Sequence, residues 1–191
     1  KDGTAMVYHP NSGQEKIRME QNEVNELVVP YGKRSKVKLE DGTEIWLNSG
    51  SVLKFPTHFS GEKREVSLKG EMYAEVAADR KKPFIVHTAH FDVQVYGTRF
   101  NVSAYEDEAF PSCVLVEGIV GFRPESGPEI RMKANEKVFY DGKQCEKRKV
   151  SASRYTCWKE GYLELDDANM VDVLNRIGRY YNLSFNFGDK K

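Results

Sequence analysis

The feature that most constrains the fold is a change of strand phase at Gly97. Before it, Val93 and Val95 alternate with polar residues, and after it Phe100 and Val102 alternate on the opposite parity. Alternation with a period of two is typical of a half-buried strand. A shift of one residue at a glycine indicates a bulge or corner, because glycine adopts backbone angles that other residues avoid. We therefore predict one strand that bends at Gly97 and contributes to two walls of a single core.

The same pattern, two alternating apolar residues followed by a glycine, recurs along the chain. Recurrence at intervals of about 20–50 residues marks stacked structural units. An ordinary antiparallel β-domain also places glycines after strands, so both arrangements stay open. The predicted fold class is mainly β, with a stacked β-solenoid or β-roll-like domain or a sandwich-like one. The glycines that end the pattern are Gly42, Gly70, Gly97, Gly118 and Gly142.

The chain divides into three parts by pattern. Residues 1–27 are polar and weakly patterned, and we expect residues 1–29 to be an N-terminal segment after a membrane helix, with edge strands, and residues 30–157 to form the β-domain. Residues 158–191 form a small, partial β-α-β unit, with strands at 162–165 and 183–187. Between these strands, one face of a helix is marked by apolar residues at helical spacing: Met170, Val173, Leu174, Ile177 and Tyr181.

The bulk composition excludes some classes of function. Lys+Arg and Asp+Glu both number 29, and this balance argues against a nucleic-acid binder, which normally has a basic surplus. No apolar run approaches the ~18–20 residues that cross a bilayer. Because the chain starts at Lys1, we expect a fragment from which an export signal or membrane anchor has been left out.

The three cysteines do not form a recognisable framework. They lack a CxxC spacing, which argues against a disulfide scaffold and against a cysteine zinc site. Cys113 lies in a strand pattern, where we expect a small buried residue. Whether Cys145 and Cys157 form a disulfide stays open.

No catalytic motif is present, so we expect no enzyme, metal site or cofactor. His87 and His90 are three residues apart in a strand-and-turn pattern, which points them to opposite faces. Two further groups of residues carry weaker hypotheses. The acidic residues Asp41, Glu44, Glu71 and Glu75 could supply glycosidase carboxylates, and Trp46 and Trp158 could stack on sugars, although turn, surface and packing roles are more common for both groups.

Five segments in order resemble a known family. They are VKLEDGTEIWLN (37–48), REVSLKGEMY (64–73), PFIV (83–86), VYGTRFNV (95–102) and LVEG (115–118). Together they resemble the periplasmic region of FecR-type anti-sigma factors, most closely the Bacteroidetes branch. Residues 158–187 resemble the start of the small C-terminal domain of that branch, which is related to the short N-terminal domain of secretins and TonB-dependent transporters.

The resemblance implies a signalling function without catalysis. Such proteins are single-pass inner-membrane proteins, and their periplasmic sensor relays a signal from a TonB-dependent outer-membrane transporter to an extracytoplasmic-function sigma factor. The expected partner of this chain is the transporter's signalling domain, while the sigma factor is bound by a cytoplasmic domain outside this sequence. A carbohydrate-binding β-module remains the alternative. We predict that the partner docks at an open apolar strand that carries Leu183, Phe185 and Phe187.

Overall fold

The computed structural model describes residues 23–165 and 170–185. These residues form thirteen strands and two α-helices, together with one 3-10 helix. None of the described helices is long and apolar enough to cross a membrane. The strands are β1 Val24–Val28, β2 Ser35–Lys38, β3 Glu44–Leu47, β4 Val52–Pro56, β5 Arg64–Glu75, β6 Phe84–His87, β7 Phe91–Val95, β8 Arg99–Ala104, β9 Ser112–Glu117, β10 Val120–Pro124, β11 Ile130–Met132, β12 Glu136–Tyr140 and β13 Cys145–Lys149, and the helices are α1 Ser153–Thr156, the 3-10 helix Cys157–Glu160 and α2 Met170–Tyr181.

The strands form two layers that share β5. The first layer, called layer A, has the order β1-β4-β5-β6-β7-β10-β11. The second, layer B, has the order β2-β3-β5-β8-β9-β12-β13. Among the described strands, only β5 and β6 pair in parallel, and every other pair is antiparallel. The mainly β fold class is confirmed, and this pairing is that of one curled antiparallel sheet rather than of a parallel-stranded coil.

Strand β5 passes from one layer to the other at Gly70. Its first half pairs with β4 up to Lys69, and its second half pairs with β8 from Gly70 onward. Gly70 has φ +100°, and a Cβ atom added there would lie 2.6 Å from Ser51 Oγ and 2.7 Å from Ser51 Cα. The corner therefore needs a residue that accepts left-handed backbone and has no side chain.

Gly97 serves as the corner between β7 in layer A and β8 in layer B. It has φ +144°, and a Cβ atom there would approach Ala78 Cα to 2.8 Å. The predicted bend and the change of phase are both confirmed, since Val95 and Phe100 are each fully buried. Four other crossings between layers also contain a residue with positive φ, whereas the connection from β5 to β6 through residues 76–83 does not. They are Gly32 between β1 and β2, Gly50 between β3 and β4, Gly118 between β9 and β10, and Asn135 between β11 and β12.

The hydrophobic core lies between the two layers. Strand β5 contributes Val66, Leu68, Met72 and Ala74, which are all at most 2% exposed and in phase across the corner. Cys113 is fully buried, as its strand pattern predicts. Cys113, Cys145 and Cys157 are free thiols.

The C-terminal region departs from the predicted β-α-β unit. Helix α2 forms where the apolar spacing predicts it, but residues 162–165 carry no strand. Trp158 lies in a 3-10 helix that ends at Gly161, whose φ is +101°. The prediction of a strand here was wrong: residues 162–165 pair with no described strand, and local alternation does not show whether a partner strand is within reach. Residues 183–185 carry no strand either, and Phe187 lies outside the described residues.

We predict that Gly70→Ala lowers the free energy of unfolding by about 2–5 kcal/mol. The alanine would have to keep the left-handed backbone conformation of Gly70, and its Cβ atom would also collide with Ser51. Chemical denaturation of the purified variant measures the loss.

Two glycines serve as matched controls for this substitution. Gly142 has φ +87° but nothing within 4 Å of an added Cβ. Gly142→Ala should therefore lower the free energy of unfolding only by the cost of left-handed backbone, about 1–2 kcal/mol. Gly61 has neither constraint, so Gly61→Ala should change stability by less than about 0.5 kcal/mol. Equal effects at positions 70 and 142 would show that crowding against Ser51 does not matter.

Candidate functional site

The outer face of layer B is polar but largely shielded from solvent. Alternation in β5, β8 and β9 sends the apolar side chains into the core and leaves the intervening polar side chains on the opposite face. Normally such residues would be solvated, yet here most are less than 9% exposed. They are Asn48, Asn101, Ser103 and Ser112, and the half-buried Glu71 lies among them.

Glu71 is the centre of a hydrogen-bond network on this face. Asn48 Nδ2 donates to Glu71 Oε2 at 2.8 Å, and Asn101 Nδ2 donates to Oε1 at 2.9 Å. The side-chain oxygen of Asn101 accepts a hydrogen bond of 3.0 Å from Trp158 Nε1. Both carboxylate oxygens therefore have donors, which offsets part of the cost of removing the charge from water.

Residues 152–165 cover this polar face. Trp158 is 3% exposed and lies over Asn101. The guanidinium of Arg34 donates to the carbonyl oxygen of Trp158 and so connects this segment to the loop between β1 and β2. A cavity of about 30 Å³ remains beneath the segment, lined in part by Glu71 and Ser112. This space holds about one water molecule, so the covered face does not take a larger ligand in this form.

Helix α2 contacts the β-domain through arginine side chains. The carboxylates that these arginines contact lie in the turn between β8 and β9. Arg179 Nη1 donates to both carboxylate oxygens of Asp107, at 2.9 and 2.8 Å. Its guanidinium carbon lies 3.8 Å from the centre of the Tyr105 ring. One turn earlier, Arg176 lies 3.7 Å from Glu108.

Glu108 is the least solvated acidic group in this contact. Burial raises the pKa of its carboxyl, and a hydrogen bond of 2.6 Å from Ser103 Oγ opposes the rise. On the same face, burial lowers the pKa of Lys137. The charges between the β-domain and its C-terminal segment are thus partly desolvated, which makes them sensitive to whether that segment stays in place.

Several apolar residues of α2 and of the chain that follows are exposed, while Val173, Leu174 and Ile177 are half-buried. Leu183 is 53% exposed and Phe185 is 41% exposed, so two of the three residues predicted to bind a partner are accessible. Asn182 ends the helix with φ +55°, and Leu183 N then donates to Gly178 O at 2.9 Å, which folds the chain back along the helix end. The other large exposed apolar residues here are Met170, Val171 and Tyr181.

The four candidate carboxylates of a hydrolase do not converge. Glu44 and Glu75 are register partners on β3 and β5, but Glu71 lies in the covered network. Asp41 accepts a hydrogen bond of 2.7 Å from the buried Arg64 at a corner of the fold.

The other candidate residues also have ordinary structural partners. His87 Nδ1 lies 2.8 Å from Asp92 Oδ1, and no group of metal-ligating side chains occurs within residues 23–165 and 170–185. Trp46 packs against Tyr73 with ring centres 5.5 Å apart. Trp158 is buried and is therefore not a platform for sugars.

The comparisons with known proteins decide the family. The model of the FecR family, described as FecR protein, matches residues 25–121. This range contains the Gly70 and Gly97 corners and most of both layers. The chain belongs to the FecR family.

Solved structures agree with this assignment. The FecR-type chain is similar to two crystal structures of a candidate anti-sigma factor from Parabacteroides distasonis ATCC 8503. The structure at 2.50 Å resolution has a TM-score of 0.81 and 31% identity, over 84% of this chain and 76% of the other. The structure at 1.65 Å has a TM-score of 0.80 and 32% identity, over 83% and 75%. A comparison with curated proteins gave no match.

Two parts of this FecR-type site escaped sequence reasoning. The burial of the polar face depends on Trp158, which contacts Asn101 although the two residues are 57 positions apart in the sequence. The acidic partners of Arg176 and Arg179 were missed because basic residues are common near the C-terminal end of a helix, where they interact favourably with the helix dipole. Their position alone therefore does not indicate a contact with another element. The available signal was their spacing of one helical turn and the adjacent acids Asp107 and Glu108.

We predict that Trp158→Phe lowers the free energy of unfolding by about 1–3 kcal/mol, because Asn101 loses its donor in a buried site. Urea denaturation measures this loss. Trp46→Phe is the matched control, since Trp46 is half-buried and contacts Tyr73 through its ring. An equal loss in both variants would mean that the hydrogen bond to Asn101 does not hold the segment down.

Proposed function

We propose that this chain is the periplasmic sensor part of a single-pass inner-membrane anti-sigma factor. It relays a signal from a TonB-dependent outer-membrane transporter to an extracytoplasmic-function sigma factor. The FecR family match over residues 25–121 and the likeness to an anti-sigma factor support the proposal. In this scheme the chain itself contacts the transporter's signalling domain, and a cytoplasmic domain of the whole protein binds the sigma factor.

The observation that carries the proposal is the exposed apolar surface at the C-terminal end. We call this the docking surface and define it by Tyr181, Leu183 and Phe185, which are 41–62% exposed. None of these residues, and no other residue of α2, belongs to the hydrophobic core that the described residues form. These residues lie within five positions of the chain, and clustered exposed apolar groups are typical of protein interaction sites.

A protein partner fits this surface better than a small ligand. The surface lies on the outside of a helix and its return, whereas the polar cavity beneath residues 152–165 is about 30 Å³. Small-molecule sites are usually concave spaces of about 300–1,000 Å³, and the open spaces of about 340 Å³ in the described residues lie elsewhere, at the loop between β4 and β5 and beside Gly97. The docking surface therefore supports the signalling domain as the partner, with Leu183 and Phe185 as its apolar anchors.

We predict that Leu183→Asp combined with Phe185→Asp weakens binding of the cognate signalling domain at least about tenfold, equivalent to about 1.4 kcal/mol. Charged groups at the centre of the contact would be left desolvated and unpaired. Isothermal titration calorimetry measures the affinity.

The control for this variant is Ile119→Asp. Ile119 is 68% exposed and lies between β9 and β10, away from the C-terminal segment in sequence. This variant should bind as the unmodified chain does. Unchanged affinity in the Leu183/Phe185 variant, with the fold intact by circular dichroism, would reject the docking surface.

A further inference from the structure

Helix α2 is oriented with its charged side toward the β-domain. Gly178 and Arg179 are the buried residues of the helix, whereas Met170, Val171 and Tyr181 are more than 60% exposed. An amphipathic helix on a protein surface normally turns its apolar side inward. Here the apolar side is only partly covered, since Val173, Leu174 and Ile177 are half-buried and none of them belongs to the core. The contacts of the arginines therefore contribute to the position of α2.

The first attachment point is the turn between β8 and β9. Asp107 receives two hydrogen bonds from Arg179, whose side chain is 8% exposed while that of Asp107 is 53% exposed. The Tyr105 ring supports the guanidinium from one face. Both hydrogen bonds come from one nitrogen, Nη1, so the orientation of the guanidinium is set by this contact together with its packing on the tyrosine, which a lysine would not reproduce.

The second attachment point is the loop between β1 and β2. Gly32 N donates to the carbonyl oxygen of Arg179 at 2.8 Å. The guanidinium carbon of Arg34 lies 5.4 Å from the centre of the Tyr180 ring. A Cβ atom on Gly32 would lie 3.1 Å from Asn182 Cβ, so the loop and the end of the helix are in close contact. This loop directly follows β1, an edge strand that pairs only with β4 among the described strands.

We propose that these two attachments form a releasable latch, which holds the docking surface outward and links it to the edge strand β1. The first part of the latch is the ion pair between Arg179 and Asp107, with the nearby pair Arg176 and Glu108. The second part is the hydrogen bond from Gly32 N to the carbonyl oxygen of Arg179. The inference rests on the proposed function and adds its regulation: a partner that engages Leu183 and Phe185 acts on the turn that holds Gly32. Ion pairs with one exposed member are weak and screened by salt, so this contact opens without unfolding the core.

The test is hydrogen exchange of the chain alone, followed by mass spectrometry. In Arg179→Gln, we expect amide protons of residues 170–182 to exchange at least about tenfold faster, with faster exchange also in residues 31–34. Strands β5 and β8 should keep the protection they have in the unmodified chain. Raising the salt concentration from 0.05 to 1 M should accelerate exchange of α2 in the unmodified chain and have little further effect in the variant.

A mutant cycle separates the ion pair from unrelated effects. Asp107→Asn should have the same effect as Arg179→Gln, and the double variant should add little to either. Exchanging the charges, with Arg179→Asp and Asp107→Arg, should restore part of the protection. The matched control is Arg148→Gln, which removes a surface ion pair with Glu146 at 2.8 Å on β13 and should leave α2 unaffected.

Two results would overturn the latch. Unchanged exchange of α2 in Arg179→Gln would show that the ion pair does not hold the helix. Equal loss of protection in α2, β5 and β8 would show that the arginine supports the whole fold rather than a releasable part. Because no transporter is present, these outcomes are independent of the calorimetry with Leu183 and Phe185, and the latch and the proposed partner can fail separately.

Discussion

The structure depends on strands that cross between two layers at residues with left-handed backbone. Strand β5 shows the constraint most directly, because one continuous strand supplies hydrogen-bonding edges to both layers and turns at Gly70. A side chain at that corner would collide with Ser51, and one at Gly97 would collide with Ala78. The corners therefore pack against neighbouring corners, and the core between the layers can close only where glycine allows this approach.

This arrangement leaves each layer with one face away from the core. In layer B, that face carries Glu71 and its two asparagine donors and is covered by Trp158. The C-terminal segment is thus attached to the β-domain by hydrogen bonds, ion pairs and the buried Trp158, while Leu183 and Phe185 remain exposed. A segment attached in this way can keep a defined position and still present an apolar surface to another protein, which is the combination that a sensor needs.

Sequence reasoning recovered the parts of the fold that are local. The change of phase around Gly97 predicted a corner, and the corner is present with Val95 and Phe100 buried on its two sides. Asn135 was missed because asparagine in a left-handed corner carries no alternation signal of its own, although it is among the residues that tolerate this conformation. Helix α2 followed from its apolar spacing.

The parts that sequence reasoning missed depend on contacts between distant residues. Glu71 was weighed as a catalytic acid, and only the fold shows that it is held by Asn48 and Asn101. Trp158 was placed before a strand, but burial against layer B holds it in a 3-10 helix. The exposure of Leu183 and Phe185 agrees with their predicted role, which itself remains a prediction.

The central claim is that another protein contacts this chain at its C-terminal end. The most direct test is nuclear magnetic resonance of the isotope-labelled chain during titration with the signalling domain of the cognate TonB-dependent transporter. The account predicts that backbone amide signals change in residues 170–185 and, through Gly32, in the loop after β1. Changes confined to the outer face of layer A around Glu65 and His87, or no changes at saturating concentrations of the signalling domain, would contradict it.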